Sequence, residues 1–432
     1  MIQIMERPLL ELTVISPPHV LWSPSMTHHV ELQFPTNEES ARPTSWADLP
    51  LWACGFRPFF LGGALLAATS ILAWVFIFFG GISIGGPAGP IGWHAHEMIF
   101  GFAPAIIAGF LLTAVPKWTR TASVSGLPLA GLFAIWCVGR VAMALSAHVP
   151  YPVVAALDLL FLPALAVAIS IPIVGARTPR NFGFIPLLMG LAAANAVFHL
   201  AHLGVLDGWS SRALDAGLAV IITIIAIVGG RVIPFFTTNR LSLSAISRRR
   251  AVDLITIATT VAWLISLVIW PHAWWTGLIA LVAGTLNLAR MWGWKGLRTP
   301  SVPLLWVLHV GYAFVGIGLI ALGLAVLEIT ATRSIALHAL TTGAIGILCL
   351  GMMARVSLGH SGRPLKAHPI TAIAFGLITL AAIVRVFLPW LLPSLYTSSI
   401  WISVLLWTLA WVLFLFIYAP ILLRRRADGR PG

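Results

Sequence analysis

Runs of about twenty apolar residues follow one another along this chain with few charges between them, and they leave it few ways to fold. An α-helix rises about 1.5 Å per residue, so a stretch of that length crosses roughly 30 Å of hydrocarbon. Such runs lie near 59–79, 94–115, 127–146, 152–174, 182–204, 213–236, 251–270, 274–294, 303–326, 335–357, 369–391 and 398–423. They are continuously apolar rather than alternating, which argues for helices over membrane strands. Helices also satisfy every backbone amide within one segment, as hydrocarbon requires. The expected fold class is all-α: a polytopic transmembrane helical bundle of about twelve spans. Of the 432 residues, 59% are apolar and only 9% are Asp, Glu, Lys or Arg. A soluble domain carries about a quarter charged residues, so lipid bilayer is the expected surroundings.

The net charge of +13 would suit nucleic acid if it were gathered on a soluble face. It sits in short loops instead, so nucleic acid is not expected as a partner. Loops after odd-numbered runs contain only Arg212 and Arg333 among basic residues, whereas the other side holds Lys117, Arg120, Arg177, Arg180, Arg240, Arg298, Arg363 and Lys366. By the positive-inside rule both termini are expected in the cytoplasm. Residues 1–53, acidic and proline-rich without the pattern of a signal peptide, are expected to be a flexible cytoplasmic tail. The helical domain is expected over 54–424, and a short basic tail over 425–432. Cys54, Cys137 and Cys349 are too scattered for a disulfide framework or a CxxC zinc site.

Ionisable residues inside the runs are costly in hydrocarbon and usually face the bundle interior. One half of the bundle, outer by the charge rule, holds His94, His96, Glu97, Arg140, Asp158, His199, His202, Asp215, His338 and Arg385. His199 and His202, spaced i, i+3, share one helix face. His94 and His96 cannot share a face, although both can reach inward when the helix begins between them. Imidazole ligates haem iron and copper and relays protons; the plain alternative is a hydrogen bond across helices. Five imidazoles at one depth favour a redox or metal role. Nearer the opposite side lie Arg231, His309 and Arg355, the arginines either snorkelling to headgroups or pairing with carboxylates such as haem propionates.

Several stretches carry a resemblance: G-F-R-P-F-F-L (55–61), W-H-A-H-E-M-I-F-G-F (93–102), A-G-F-L-L-T-A-V-P-K-W-T (108–119), R-V-I-P-F-F-T-T-N (231–239), L-H-V-G-Y (308–312), H-A-L-T-T-G-A-I-G (338–346) and R-V-S-L-G-H-S-G-R-P-L (355–365). In these the chain resembles the NnrS family from about residue 54 to 424. The resemblance implies a multi-pass protein of the bacterial inner membrane, tied to nitric oxide metabolism and nitrosative stress, that binds haem and copper. The family's histidines correspond to His94, His96, His199, His202, His309, His338 and His360. Lys117 stands where the family commonly has asparagine.

Two functions fit these residues. In the first, a haem (expected as b-type) or haem–copper protein binds or reduces nitric oxide, as a nitric oxide reductase would. Ligands then come from His94, His96, His199, His202, His309 and His338, with Arg231 and Arg355 as further cofactor contacts. Glu97 and Asp158 would pass protons, and electrons would come from a quinol or a periplasmic donor. The second is a twelve-span secondary transporter or metal exporter without redox activity, which predicts a repeat between the halves. No counterpart of H-x-H-E is evident in the second half.

Overall fold

The computed structural model describes residues 45–81, 86–177, 179–242, 250–329 and 332–430. The expected amino-terminal tail lies outside the described residues up to position 44. Beyond it, two 3₁₀ turns, Trp46–Asp48 and Pro50–Trp52, lie against the bundle, with the Trp52 ring 6.0 Å from that of Phe133.

The described residues are helical throughout, with no strand. In chain order the helices are α1 (Phe56–Gly80), α2 (Gly89–His96), α3 (Ala103–Thr119), α4 (Gly126–Ala144), α5 (Tyr151–Asp158), α6 (Phe161–Gly175), α7 (Phe184–His202), α8 (Ser210–Leu241), α9 (Arg250–Ile269), α10 (Trp274–Trp292), α11 (Pro303–Val326), α12 (Arg333–His338), α13 (Ile347–His360), α14 (Pro369–Leu391) and α15 (Tyr396–Leu423). Joined where one runs into the next, they give eleven segments long and apolar enough to cross a membrane. The remaining helix, α10, matches the expected run at 274–294. It is less apolar because it contains Asn287 and Arg290, both of which are buried and hydrogen-bonded to α9 and α11. Leu65, Phe76, Val167, Ile171, Leu405 and Phe416 are exposed, as side chains facing lipid tails are.

Three of the spanning segments are interrupted, and the interruptions set the polar residues in place. α5 ends at Asp158 and α6 begins at Phe161. Pro163 has no amide hydrogen to give the carbonyl four residues back, which weakens the helix there. Between α2 and α3, Glu97–Phe102 forms a π-helix. Between α12 and α13, Ala339–Gly346 forms another. A π-turn adds a residue to the hydrogen-bonded ring and rotates the helix beyond it, and such turns cluster at functional sites.

The first and last described spans, α1 and α15, meet. Arg57, 1% exposed, donates through Nη1 to the carbonyl oxygens of Leu422 at 2.9 Å and Arg424 at 2.6 Å, supplying acceptor-rich carbonyls at the end of α15 with a cation. The carboxyl-terminal residues turn back: Arg426 donates to the carbonyl of His360 at 3.0 Å and Ala427 to that of Ser361 at 2.9 Å. Arg426 also holds both oxygens of Asp428, at 2.9 and 2.6 Å, and these hydrogen bonds bring the Asp428 carboxyl down to about 2.

Candidate metal centre

Five helical pieces deliver polar side chains to one dry point. His96 closes α2, and Glu97 opens the π-helical turn; Arg140 lies in the last turns of α4. Tyr151 and Asp158 stand at the two ends of α5, and Asn195 and His199, one turn apart, share a face of α7. Glu97, His96, Asp158, Asn195 and His199 are each 2% exposed or less, and Arg140 is 9% exposed. Gly139 makes the approach of α4 to α5 close, since a Cβ there would stand 3.2 Å from Cα of Asp158. Gly101 makes room for the Arg140 side chain in the same way. The Trp136 indole donates to the Gly101 carbonyl at 3.0 Å, satisfying an acceptor inside the π-turn.

The network is closed on itself. Arg140 donates through Nη1 to Glu97 Oε1 at 2.5 Å and through Nη2 to Asp158 Oδ1. The other Asp158 oxygen, Oδ2, receives Nδ2 of Asn195 at 2.7 Å and stands 3.0 Å from Nε2 of His199 and 3.2 Å from Nε2 of His96, which also lies 3.0 Å from Oδ1 of Asn195. Each imidazole is held from behind at Nδ1, His96 by Glu97 Oε1 at 3.2 Å and His199 by the Tyr151 hydroxyl at 3.1 Å. Phe100 and Phe198 pack against the His96 ring. Two carboxylates against one guanidinium leave a formal excess of one negative charge. Burying unbalanced charge in low dielectric costs several kcal/mol, so the site favours a cation.

The donor set suits a metal ion. Ligand atoms about 2.1 Å from one ion stand roughly 3.0 Å apart at right angles and roughly 3.4 Å apart at the tetrahedral angle. The 3.0 and 3.2 Å separations fall in that range, and Nε2 of His96, Nε2 of His199 and an oxygen of Asp158 form a buried group able to hold an ion. Two imidazoles and one carboxylate make a set that binds late first-row divalent metals. The Nδ1 partners Glu97 and Tyr151 fix ring orientation as outer-sphere groups do at metal sites.

The other residues singled out in the sequence lie elsewhere. His94 stacks on Trp74, centroids 4.6 Å apart, and with His338 lies near Arg385 on α14. The i, i+2 spacing of His94 and His96 on α2 thus sends neighbours in sequence to two sites. His202, half-buried, gives Nδ1 to the Phe198 carbonyl at 2.8 Å and flanks Tyr151 without reaching Asp158. His309 bonds through Nε2 to Thr237 at 3.0 Å, beside Trp294 at the opposite end of the bundle. Arg231 donates to the Arg180 carbonyl at 3.1 Å. Arg355 lies 3.9 Å over the Phe236 ring. His360 packs on Phe56. The six ligand candidates therefore do not surround one centre. Sequence reasoning named four of the cluster's residues as site candidates and assigned no role to Arg140, Tyr151 or Asn195. An amide inside A-A-A-N-A-V-F-H, four residues before His199, was the available signal for Asn195.

A family profile described as NnrS protein matches residues 50–426. The chain belongs to the NnrS family. The match takes in every helix from α1 to α15, the interrupted spans and the buried cluster included. No curated protein matches the chain.

Proposed function

We propose that this NnrS-family chain is a metalloprotein of the bacterial inner membrane that binds nitric oxide and reduces it. Its metal centre would be held by His96, His199 and Asp158. The observation that carries this reading is the convergence of both Nε2 atoms on one carboxylate oxygen while both Nδ1 atoms are tied from behind. Copper is the metal we assign, because nitrogen and oxygen donors bind it most tightly among the divalent first-row metals. Family membership supports the connection to nitric oxide. Strict alternation of loop charge supports cytoplasmic termini, which would place the cluster in the outer half, with the tails at 1–53 and 425–432 inside.

A bound metal would supply an open coordination position and a change of oxidation state. The protein does the rest. Arg140 fixes the two carboxylates, Phe100 and Phe198 keep water from the His96 ring, and Glu97, touching both His96 and Arg140, is the group placed to pass protons inward. Joining two nitric oxide molecules as nitrous oxide and water consumes two electrons and two protons. A quinol or a periplasmic electron donor is therefore part of the proposal.

Haem, which the family resemblance implies, does not fit between His96 and His199. Their ring centroids are 5.2 Å apart in edge contact, which leaves no room for a porphyrin between them. A groove of about 750 Å³ beside α3, α4 and α6 has room for a porphyrin, yet its walls contain no His, Cys, Met or Tyr. No step is assigned to haem. The test is elemental analysis of detergent-purified protein with His199→Ala and Asp158→Asn variants. About one copper per chain in the parent, lost in both variants, is expected; copper retained in both would refute the assignment.

One observation favours the second reading, a transporter. Spans broken at Glu97–Phe102 and Ala339–Gly346 match the discontinuous helices that line transporter sites. Altered solute uptake in His96→Ala vesicles, with nitric oxide consumption unchanged, would select it.

A further inference from the structure

The two π-helical turns belong to similar constellations. Each comes directly after a histidine, and in both the fifth residue beyond that histidine is glycine: His96 with Gly101, His338 with Gly343. In each case the next helix, α4 or α14, carries a buried arginine near its far end, Arg140 or Arg385. The partners differ. Arg140 is clamped between Glu97 and Asp158. At the position of Glu97, one residue past the histidine, the second constellation has Ala339. The helix after α14 begins with Tyr396, Ser399 and Ser403, and has no carboxylate in those turns.

Arg385 is 6% exposed, yet it makes no salt bridge among the described residues. Its Nη2 is 3.5 Å from the Ser334 hydroxyl, and the Tyr396 side chain is a second polar neighbour, its ring centroid 5.3 Å from the guanidinium. Its Nη1 is buried without a hydrogen-bond partner. A buried donor without an acceptor costs about 1–3 kcal/mol, more when the group is charged, and a buried cation without an anion costs further. The neighbouring imidazoles carry no fixed negative charge. His338 is held through its own Nδ1, 2.7 Å from the Ser334 carbonyl, and both His338 and His94 are partly exposed.

We propose that Arg385, flanked by His94 and His338, binds a small monovalent oxyanion, in the role that Glu97 and Asp158 fill for Arg140. A planar oxyanion such as formate or nitrite presents two oxygens to the guanidinium fork, which a spherical halide cannot do. The site is separate from the metal centre and stands whether or not copper is found there.

Calorimetric titration of the full chain in nanodiscs with formate, nitrite and chloride tests this. Formate and nitrite should bind saturably at one site per chain, each displacing the other, with chloride at least tenfold weaker. Arg385→Gln should weaken formate tenfold or more, Arg385→Lys should bring formate and chloride closer together, and His199→Ala should leave binding unchanged. Circular dichroism and monodispersity report whether each variant is folded. Absence of saturable formate binding in the parent protein would overturn the proposal without recourse to any variant. So would unchanged formate affinity in a folded Arg385→Gln protein, or an unchanged ratio of formate to chloride affinity in a folded Arg385→Lys protein.

Discussion

Replacing Arg140 by leucine isolates the electrostatics of the buried cluster. Among the described residues the guanidinium is the only Lys or Arg group bonded to Glu97 and Asp158, which are 1% and 2% exposed. Removing one partner of a buried ion pair costs about 3–5 kcal/mol, since the remaining charge loses its partner and not its burial. The two carboxylates do not suffer equally. Asp158 keeps Asn195, His96 and His199, whereas Glu97 keeps only His96. Most of the cost should therefore fall on Glu97, and adding Glu97→Gln to Arg140→Leu should recover about 1–2 kcal/mol, within the range of coupling between contacting residues. Unfolding in mixed micelles by dodecyl sulfate titration, followed by far-ultraviolet circular dichroism, measures both. A loss below about 1 kcal/mol for Arg140→Leu would refute the reasoning, because the network would then be less buried or less charged than described. A double variant no more stable than the single one would show that Glu97 is not the orphaned group.

Tyr151→Phe removes the hydroxyl behind His199 and nothing else, so copper affinity should fall about 10- to 100-fold with the fold intact; competition with a chelator reads this, and unchanged affinity removes Tyr151 from the second sphere. Glu97→Gln should keep the metal while slowing proton-consuming turnover, measured with a nitric oxide electrode; equal rates would exclude Glu97 as the proton donor. Gly230→Ala should cost about 1–3 kcal/mol by overpacking, because a Cβ there would overlap the guanidinium of Arg290. That overlap would displace Arg290 from Asp253, the Ala226 carbonyl and the Tyr312 hydroxyl, and a thermal unfolding curve matching the parent's would refute it.

The bundle was legible in the sequence because spanning is a local property: hydropathy over twenty residues fixes both the helix and its length. Depth was legible for the same reason, and His199 and Asp158 were placed in the same half of the bundle by counting residues. Azimuth was not. The i, i+2 spacing turns His94 and His96 apart, but which partners each meets depends on how the other helices pack around α2. The grouping of Asp158 with His199 depends on the break ahead of Pro163, which sets the end of α5. Arg140 stood out as a charge within an apolar run, but its role as a bridge became visible only when α2, α4 and α5 were brought together. The repeat missed in the sequence was hidden for a related reason: H-x-H-E has no second copy, while the shared element is one histidine, a glycine five residues on, and an arginine in the next helix.

The bond between Arg57 and the carbonyls of Leu422 and Arg424 has a consequence for assembly. α1 carries a cation whose acceptors lie at the end of α15, more than 360 residues further along the chain. Until α15 has been inserted and brought beside α1, that guanidinium must stay with water or lipid headgroups, so the bundle cannot lock from its amino-terminal end as it emerges. Closure waits for α15, and a chain truncated before residue 422 should persist as an open assembly prone to degradation.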